Sequence, residues 1–308
     1  EFLWQEGHTA HAAKEGADNE VMAILDIYAE TFEKIFAIPV LKGKKSDKEK
    51  FAGADYTTSL ECFLPNGKAI QGCTSHALGQ NFAKAFDIKF LNENSEWSHV
   101  WQNSWGFTTR SIGIMIMMHS DDKGLVVPPR LARRKAVIVP IIFEKTKDAV
   151  VSKAKELAEK LSEFNVFVDE RDEYSPGFKF NEWELKGIPI RIELGPKDLE
   201  KEHVVLVRRD TGEKKFVKWT DLKVTVEKEL DAMHDSLFEN AKKVLDGNIV
   251  ETRDFDGLLK AIKDKKMVKT NWCGEGECED LIKDKTGGAK TLNMPFKQPK
   301  VDGKCDSR

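Results

Sequence analysis

No helix and no central strand can run through Pro128-Pro129. Neither residue has a backbone N–H to donate, and each pushes the residue before it out of the α region. The chain is therefore cut there, and the basic run from Arg130 to Lys135 that follows reads as a linker. Beyond it Val137-Ile138-Val139 opens a new apolar pattern. A length of 308 residues suggests two or three domains, so the break falls where a boundary is expected.

Ahead of the break, apolar residues stand at 21, 24, 25, 28, 32, 35 and 36, the period of an amphipathic helix over 18–36. Thr57 to Leu64 reads as a strand. Pro65-Asn66-Gly67 closes it with a tight turn, because Asn-Gly tolerates positive φ. Residues 111–118 read as a buried helix beneath a pocket, with the methionines as core packing. Behind the break, 148–164 is helical, and short strands are expected at 166–168, 188–194 and 204–207. Asp210-Thr-Gly212 turns the chain back into 215–217. A long helix covers 221–246, then a short helix near 254–264 and a strand near 267–272. Strands alternating with helices predict a small α/β domain.

Composition excludes several classes. With 40% hydrophobic and 33% charged residues the chain is that of a soluble globular protein. Its longest apolar run, Ala136 to Phe143, is too short to span a membrane. Five cysteines in this length do not make a disulfide framework, and their spacing points to metal in a reducing compartment. A net charge of −3 gives no overall basic footprint, so any RNA contact must use local clusters. Arg130, Arg133, Arg134 and Lys135 form one and Arg208-Arg209 another; the plain alternative for both is a solvated surface.

Residues 71–130 carry the chemistry. Gln71-Gly-Cys-Thr-Ser-His-Ala-Leu-Gly-Gln-Asn-Phe, then Trp101-Gln-Asn-Ser-Trp-Gly-Phe-Thr-Thr-Arg110 and Gly124-Leu-Val-Val-Pro-Pro-Arg130, crowd polar, aromatic and glycine residues together with no simple helical or strand period. Such a stretch suits a pocket for small polar ligands. In wording and order it resembles the prolyl-tRNA synthetase family, of the archaeal and eukaryotic cytosolic type. Glu1-Phe-Leu-Trp-Gln-Glu-Gly-His8 is similar to the second strand of motif 2 in class II synthetases, and Gly106-Phe-Thr-Thr-Arg110 to motif 3. Tyr174-Ser-Pro-Gly-Phe-Lys-Phe180, Trp183-Glu-Leu-Lys-Gly187, Pro189-Ile-Arg191 and Leu194-Gly-Pro-Lys197 resemble the anticodon-binding domain of class IIa enzymes.

The resemblance implies an α/β and α+β multidomain architecture. A partial class II antiparallel-sheet catalytic domain would occupy 1–130, an α/β anticodon-binding domain 131–220, and a small helical and zinc-knuckle-like domain 221–308. It implies a cytoplasmic ligase that uses ATP and Mg²⁺ to activate L-proline as prolyl-adenylate and transfers it to tRNA(Pro) in protein biosynthesis. Arg110 is the catalytic residue implied, because a guanidinium is always charged and lies flat on a base. Phe2, Gln71, Thr74, Thr108 and Arg110 would contact ATP. Trp4, His8, Phe51 and His76 would enclose proline; the family usually has a second histidine where Ala77 stands. Glu184, Arg191 and Lys214 would read the guanines of the anticodon, with Lys215 as the neighbouring alternative to Lys214. Motif 1, the homodimer interface it builds, and the α-phosphate-binding arginine of motif 2 would all precede Glu1. The chain is thus expected to be a fragment that does not itself activate amino acid. A non-catalytic, tRNA-binding synthetase-like paralogue or truncation is the competing reading, and another class IIa synthetase a third.

Cys273-Gly-Glu-Gly-Glu-Cys278 is a C-x₄-C pair followed at a distance by Cys305. The family's C-terminal domain has such a pair and then two close cysteines, which implies a structural zinc at Cys273, Cys278 and Cys305. Ser307 stands where the fourth ligand is expected, so either that ligand lies beyond Arg308 or the site is incomplete. Cys62 and Cys73 read as ordinary thiols.

Overall fold

The computed structural model describes residues 3–298 and 305–306. It divides into two compact units. The first takes in residues 1–33, 38–114 and 242–308; the second takes in 34–37 and 115–241.

The first unit is built on a sheet whose early elements are β1 (Trp4–His11), α1 (Lys14–Glu30), β2 (Leu41–Lys44), β3 (Tyr56–Phe63) and β4 (Ala69–Gly79). There follow α2 (Asn81–Ala85), a small hairpin of β5 (Lys89–Leu91) and β6 (Trp97–His99), β7 (Trp101–Thr108) and α3 (Arg110–His119). The sheet runs β1-β7-β4-β3-β2 and is antiparallel throughout. Ala17, Val21, Leu25, Tyr28 and Ala29 form the buried stripe of α1, the i, i+4 spacing of a helix laid on a sheet. Tyr28 and Phe32 pack on Phe107 of β7, with ring centroids 5.4 and 5.5 Å apart. The helix starts earlier than expected, at Lys14, and ends in a π turn over Thr31–Ile35. The turn at Pro65-Asn66-Gly67 forms as expected, with Gly67 at φ +81°.

The second unit holds β8 (Ala136–Pro140), α4 (Lys147–Lys160), β9 (Phe167–Val168), α5 (Pro176–Leu185), β10 (Ile190–Leu194), α6 (Pro196–Glu200), β11 (His203–Arg208) and β12 (Lys214–Lys218), with α7 (Leu222–Asp246) following. Its sheet order is β12-β11-β10-β8-β9. β9, β8 and β10 are parallel, and β11 and β12 antiparallel. β8 is covered on both faces. Ala136 and Ile138 face a core with Val150, Leu157 and Leu161 of the α4 region and Val226 of α7. Val137 and Val139 face Trp183 of α5. That is why β8 reads as an unbroken apolar run.

The chain completes the first unit with a parallel pair, β13 (Ile249–Glu251) and β14 (Met267–Lys269), joined by α8 (Phe255–Lys263), and then α9 (Gly276–Thr286). Asp254 caps α8 by accepting from the Gly257 N–H at 2.7 Å. The expected strand at 267–272 stops at Lys269, and α9 was not foreseen in the cysteine segment.

Two expectations are corrected. Gln71 to Arg110 is not without a strand: β4 and β7 are long central strands of the first sheet. Their period is masked because one face packs on α1 while the other carries polar groups and rings, so neither a simple alternation nor a continuous apolar run results. The expected helix at 111–118 exists as α3, but it is buried on one face only: Ile114 and Met115 are buried, whereas Ile112, Ile116 and Met117 are exposed.

Candidate functional site

Cross-strand register decides which side chains of the first sheet share a face. Trp4 stands opposite Thr108, and His8 opposite Ser104. Across the same strand Thr74 stands opposite Gly106, and His76 opposite Ser104. Trp4, His8, Thr74, His76 and Thr108 therefore lie on one face, the one away from α1. His8 and His76 flank β7 on one line, two strand spacings or about 9–10 Å apart. Gln71 would fall on the wrong face of a regular strand, because it precedes Thr74 by an odd number of residues. A bulge repairs this: Leu60 pairs with Cys73 while Glu61 pairs with Gln71, leaving Gly72 over. Gly72 turns toward α1, where a Cβ would lie 2.8 Å from the Phe32 ring. Gln71 is thereby returned to the side of Thr74.

Arg110 begins α3 at the end of β7. Its exposed guanidinium donates from Nη1 to the Gln71 carbonyl at 3.3 Å, and its own N–H donates to Thr108 Oγ1 at 3.2 Å. Gln71, Thr74, Thr108 and Arg110 are thus neighbours. Phe2 lies outside the described residues.

The other end of the face is aromatic. Phe51 and His76 have ring centroids 5.0 Å apart. His76 is held by two hydroxyls, Thr57 Oγ1 at Nδ1 and Thr74 Oγ1 at Nε2, each at 2.9 Å. Burial drives its pKa down to about 4, so the ring is neutral at physiological pH. Trp4 and Phe51 are 62% and 47% exposed, which leaves the apolar wall open to a ligand. His8 is exposed and sits 3.3 Å from Glu6. Sequence reasoning missed Thr57, which also accepts the Phe51 N–H at 2.9 Å. Nothing short of the tertiary arrangement signals it.

In the second unit Arg191 stands opposite Val207, which stands opposite Lys214. Arg191 and Lys214 therefore share a face, and Glu193 lies between them. Arg191 donates to Glu193 Oε1 at 3.0 and 3.1 Å, and Lys214 Nζ is 3.5 Å from Oε2. The guanidinium also lies 4.5 Å from the Phe180 ring centroid. Lys215 points the other way, to Glu229 at 2.7 Å, so of the two lysines Lys214 shares the Arg191 face. Glu184 and Arg191 line the same small cavity with Trp183 and Ile188. Glu193 was overlooked, although its place two residues after Arg191 on one strand puts both on one face.

The pair Arg208-Arg209 is neither an RNA-binding cluster nor a solvated surface. Both residues are buried. Arg208 forks onto Asp210 at 3.0 and 2.7 Å. Arg209 binds Asp121 at 2.9 and 2.6 Å and the Glu184 carbonyl at 2.8 Å. Arg209 holds the Asp121 carboxyl down at about 2. A guanidinium already used in this way is not available to phosphate.

Sulfurs of Cys273, Cys278 and Cys305 lie within 4.8 Å of one another, and Cys273 and Cys278 are 3.3 Å apart. The Glu275 backbone bond pulls the Cys273 thiol down, but Cys278 and Cys305 together push it above its ordinary value. Three crowded thiols resist ionising together unless a cation compensates the charge. The set fits three corners of a tetrahedral zinc site. Cys62 and Cys73 are buried, and burial pushes Cys62 up to about 12, which makes it an inert thiol.

Comparison with known proteins fits these three places. The family described as "tRNA synthetase class II core domain (G, H, P, S and T)" matches residues 1–119, "Anticodon binding domain" matches 135–229, and "Prolyl-tRNA synthetase, C-terminal" matches 255–307. The chain belongs to the prolyl-tRNA synthetase family. It is 46% identical over 309 residues to "Proline--tRNA ligase, cytoplasmic" of Arabidopsis thaliana, an alignment covering 98% of this chain and 58% of that relative. With "Proline--tRNA ligase" of Natranaerobius thermophilus it shares 46% over 307 residues, covering 99% and 63%. With that of Ruminiclostridium cellulolyticum it shares 48% over 309 residues, again covering 99% and 63%. The chain thus spans about three fifths of the length of the prolyl-tRNA synthetase relatives it matches. Among the described residues no helix is long and apolar enough to cross a membrane.

Proposed function

We propose that this chain serves a proline–tRNA ligase, with ATP and L-proline bound on the first unit and tRNA(Pro) read by the second. The single observation that carries the reading is the open face on which Arg110, Gln71, Thr74 and Thr108 adjoin the rings of His76 and Phe51. A nucleotide and a small, mostly hydrocarbon amino acid need that pairing of a fixed cation with an aromatic wall.

In the proposed reaction a carboxylate oxygen of proline attacks the α-phosphorus of ATP. The bond to the bridging oxygen of pyrophosphate breaks, and prolyl-adenylate remains. Arg110 would lie on the adenine and offset phosphate charge, with Phe2 against the other face of the base. Gln71, Thr74 and Thr108 are neutral, so they orient rather than neutralise. Mg²⁺, when bound, would offset charge on the departing phosphates. Trp4, His8, Phe51 and His76 would enclose the pyrrolidine; a neutral His76 spares the cationic amine a like charge. Transfer to the terminal ribose hydroxyl of tRNA then releases AMP.

On the second unit, Arg191 and Lys214 would donate to guanine O6 and N7, and Glu184 would accept from its Watson–Crick edge. Cys273, Cys278 and Cys305 would hold a structural zinc. The functional division would follow residues 1–130, 131–220 and 221–308. A cytoplasmic homodimer completes the proposal.

Amino-acid-dependent ATP–pyrophosphate exchange tests it, run on the longer protein that carries this chain. Exchange with proline, and not with threonine, histidine or glycine, is expected. Binding of tRNA without exchange would favour the non-catalytic paralogue instead.

A further inference from the structure

The loop between β2 and β3, residues 45–55, carries Phe51 to the ring of His76. Its two ends are tied to the sheet, for the Lys45 N–H donates to the Thr57 carbonyl and the Asp55 N–H to the Ala77 carbonyl, each at 2.8 Å, and the Asn81 amide donates to the Gly53 carbonyl at 2.9 Å. The strand that leads into it, β2, is four residues long and lies at the sheet edge, paired within the sheet with β3 alone. At its far end the Phe51 N–H donates to Thr57 Oγ1, the same oxygen that lies 2.9 Å from His76 Nδ1. Movement of the loop is therefore felt directly at His76.

A segment remote in sequence closes that edge. Lys44 and Met294 exchange both backbone hydrogen bonds at 2.8 Å as an antiparallel bridge. The Asn293 side-chain amide donates to the Leu41 carbonyl at 3.1 Å, the Ser59 carbonyl at 3.3 Å and Ser59 Oγ at 3.2 Å. One amide thus joins β2 to β3. Gly43 permits the approach, for a Cβ there would lie 2.5 Å from the Met294 carbonyl oxygen. The staple sits on a buried polar cluster in which Ser59 Oγ and Lys45 Nζ both donate to Glu61 Oε1, at 2.8 and 2.7 Å. Two ion pairs, Lys48–Asp280 and Lys290–Glu49, join the same loop to α9 and the segment after it. Both are exposed, and exposed pairs contribute little. The half-buried amide and the backbone bridge are the stronger ties.

We propose that Asn293 is a positioning residue for the amino-acid end of the site. By tying the β2 edge to β3 it holds loop 45–55, and with it Phe51, against His76. The functional half of this inference rests on the reading of Phe51 and His76 as the amino-acid wall; the mechanical half does not.

Asn293→Asp tests it, because the carboxylate keeps the shape but cannot donate to two carbonyls. Asn293→Ala serves as the second variant. In this chain, hydrogen exchange at residues 46–55 is expected to speed up about 10-fold, with the interiors of β4 and β7 unchanged. No change at 46–55, or an equal change throughout the sheet, would overturn the staple. In the longer protein, pyrophosphate exchange is expected to show the proline KM raised about 5–10-fold, with the ATP KM and kcat within about 2-fold of the parent. A joint rise of both KM values, or no rise in either, would overturn the positioning role. If the parent shows no proline-dependent exchange, the amino-acid reading of the site fails, and hydrogen exchange alone still decides the staple.

Discussion

At the scale of single residues, burial and partners separate side chains that look alike in the sequence. Arg110 and Arg209 are both arginines beside polar neighbours, yet one is exposed and the other is locked on Asp121. The resemblance selected Arg110, but only packing could remove Arg208 and Arg209 from the RNA-binding candidates. Arg110→Ala is expected to lower pyrophosphate exchange by at least about 10²–10³-fold, the cost of one lost transition-state charge contact. Arg191→Ala should leave exchange intact and weaken aminoacylation; unchanged charging of tRNA would remove Arg191 from the anticodon reading. The histidines give a prediction in pH. His76 and His119 are held near 4 by burial, whereas in the unfolded chain such rings titrate near 6.5. Between those values the unfolded state binds more protons, so stability falls as pH falls from about 6.5 to about 4. Urea denaturation at pH 7 and pH 5 should show this loss, and His119→Gln should reduce it. Asp121 and Asp169, both lowered to about 2, continue the loss below pH 4: their contribution is full above the unfolded carboxylate value and disappears as pH falls through 2.

At the scale of elements, the amphipathic helices and the apolar strands of the second unit were legible because each has one face, or both faces, against a single kind of surroundings. α1, α4, α7 and β8 follow their periods closely. β4 and β7 did not announce themselves, because α1 covers one face and the other mixes polar side chains with rings, so neither alternation nor a continuous apolar run survives. The bulge at Gly72 hides the pattern further by shifting the register midway. Glycines make these contacts testable. A Cβ on Gly7 of β1 would lie 2.1 Å from the Trp105 ring, whereas one on Gly113 of α3 meets nothing within 4 Å. Gly7→Ala is expected to destabilise by about 1–3 kcal/mol through overpacking. Gly113→Ala should stabilise by up to about 1 kcal/mol, since alanine loses less backbone entropy in a helix. Urea midpoints that moved in the same direction for both would refute the packing assigned to Trp105.

At the scale of the whole molecule, the C-terminal module contributes to the first unit despite the intervening second unit in sequence. Its cysteine cluster leads to a metal prediction: native mass spectrometry should find one zinc per chain, and Cys273→Ser should lose it along with hydrogen-exchange protection of residues 270–286. Zinc retained by that variant would remove Cys273 from the ligand set. The sequence by itself determined that no helix or strand crosses Pro128-Pro129, the helices with one buried face, the turn at Asn66-Gly67 and, through its motifs, membership in the prolyl-tRNA synthetase family. All of these are local, set by backbone chemistry or by a period along the chain. Only the tertiary structure decided which polar residues share the sheet face away from α1, which arginines are bound internally, and that Asn293 meets a strand some 250 residues earlier, at Leu41. Those facts depend on strand register and on contacts between distant segments, and neither leaves a mark in the spacing of residues along the chain.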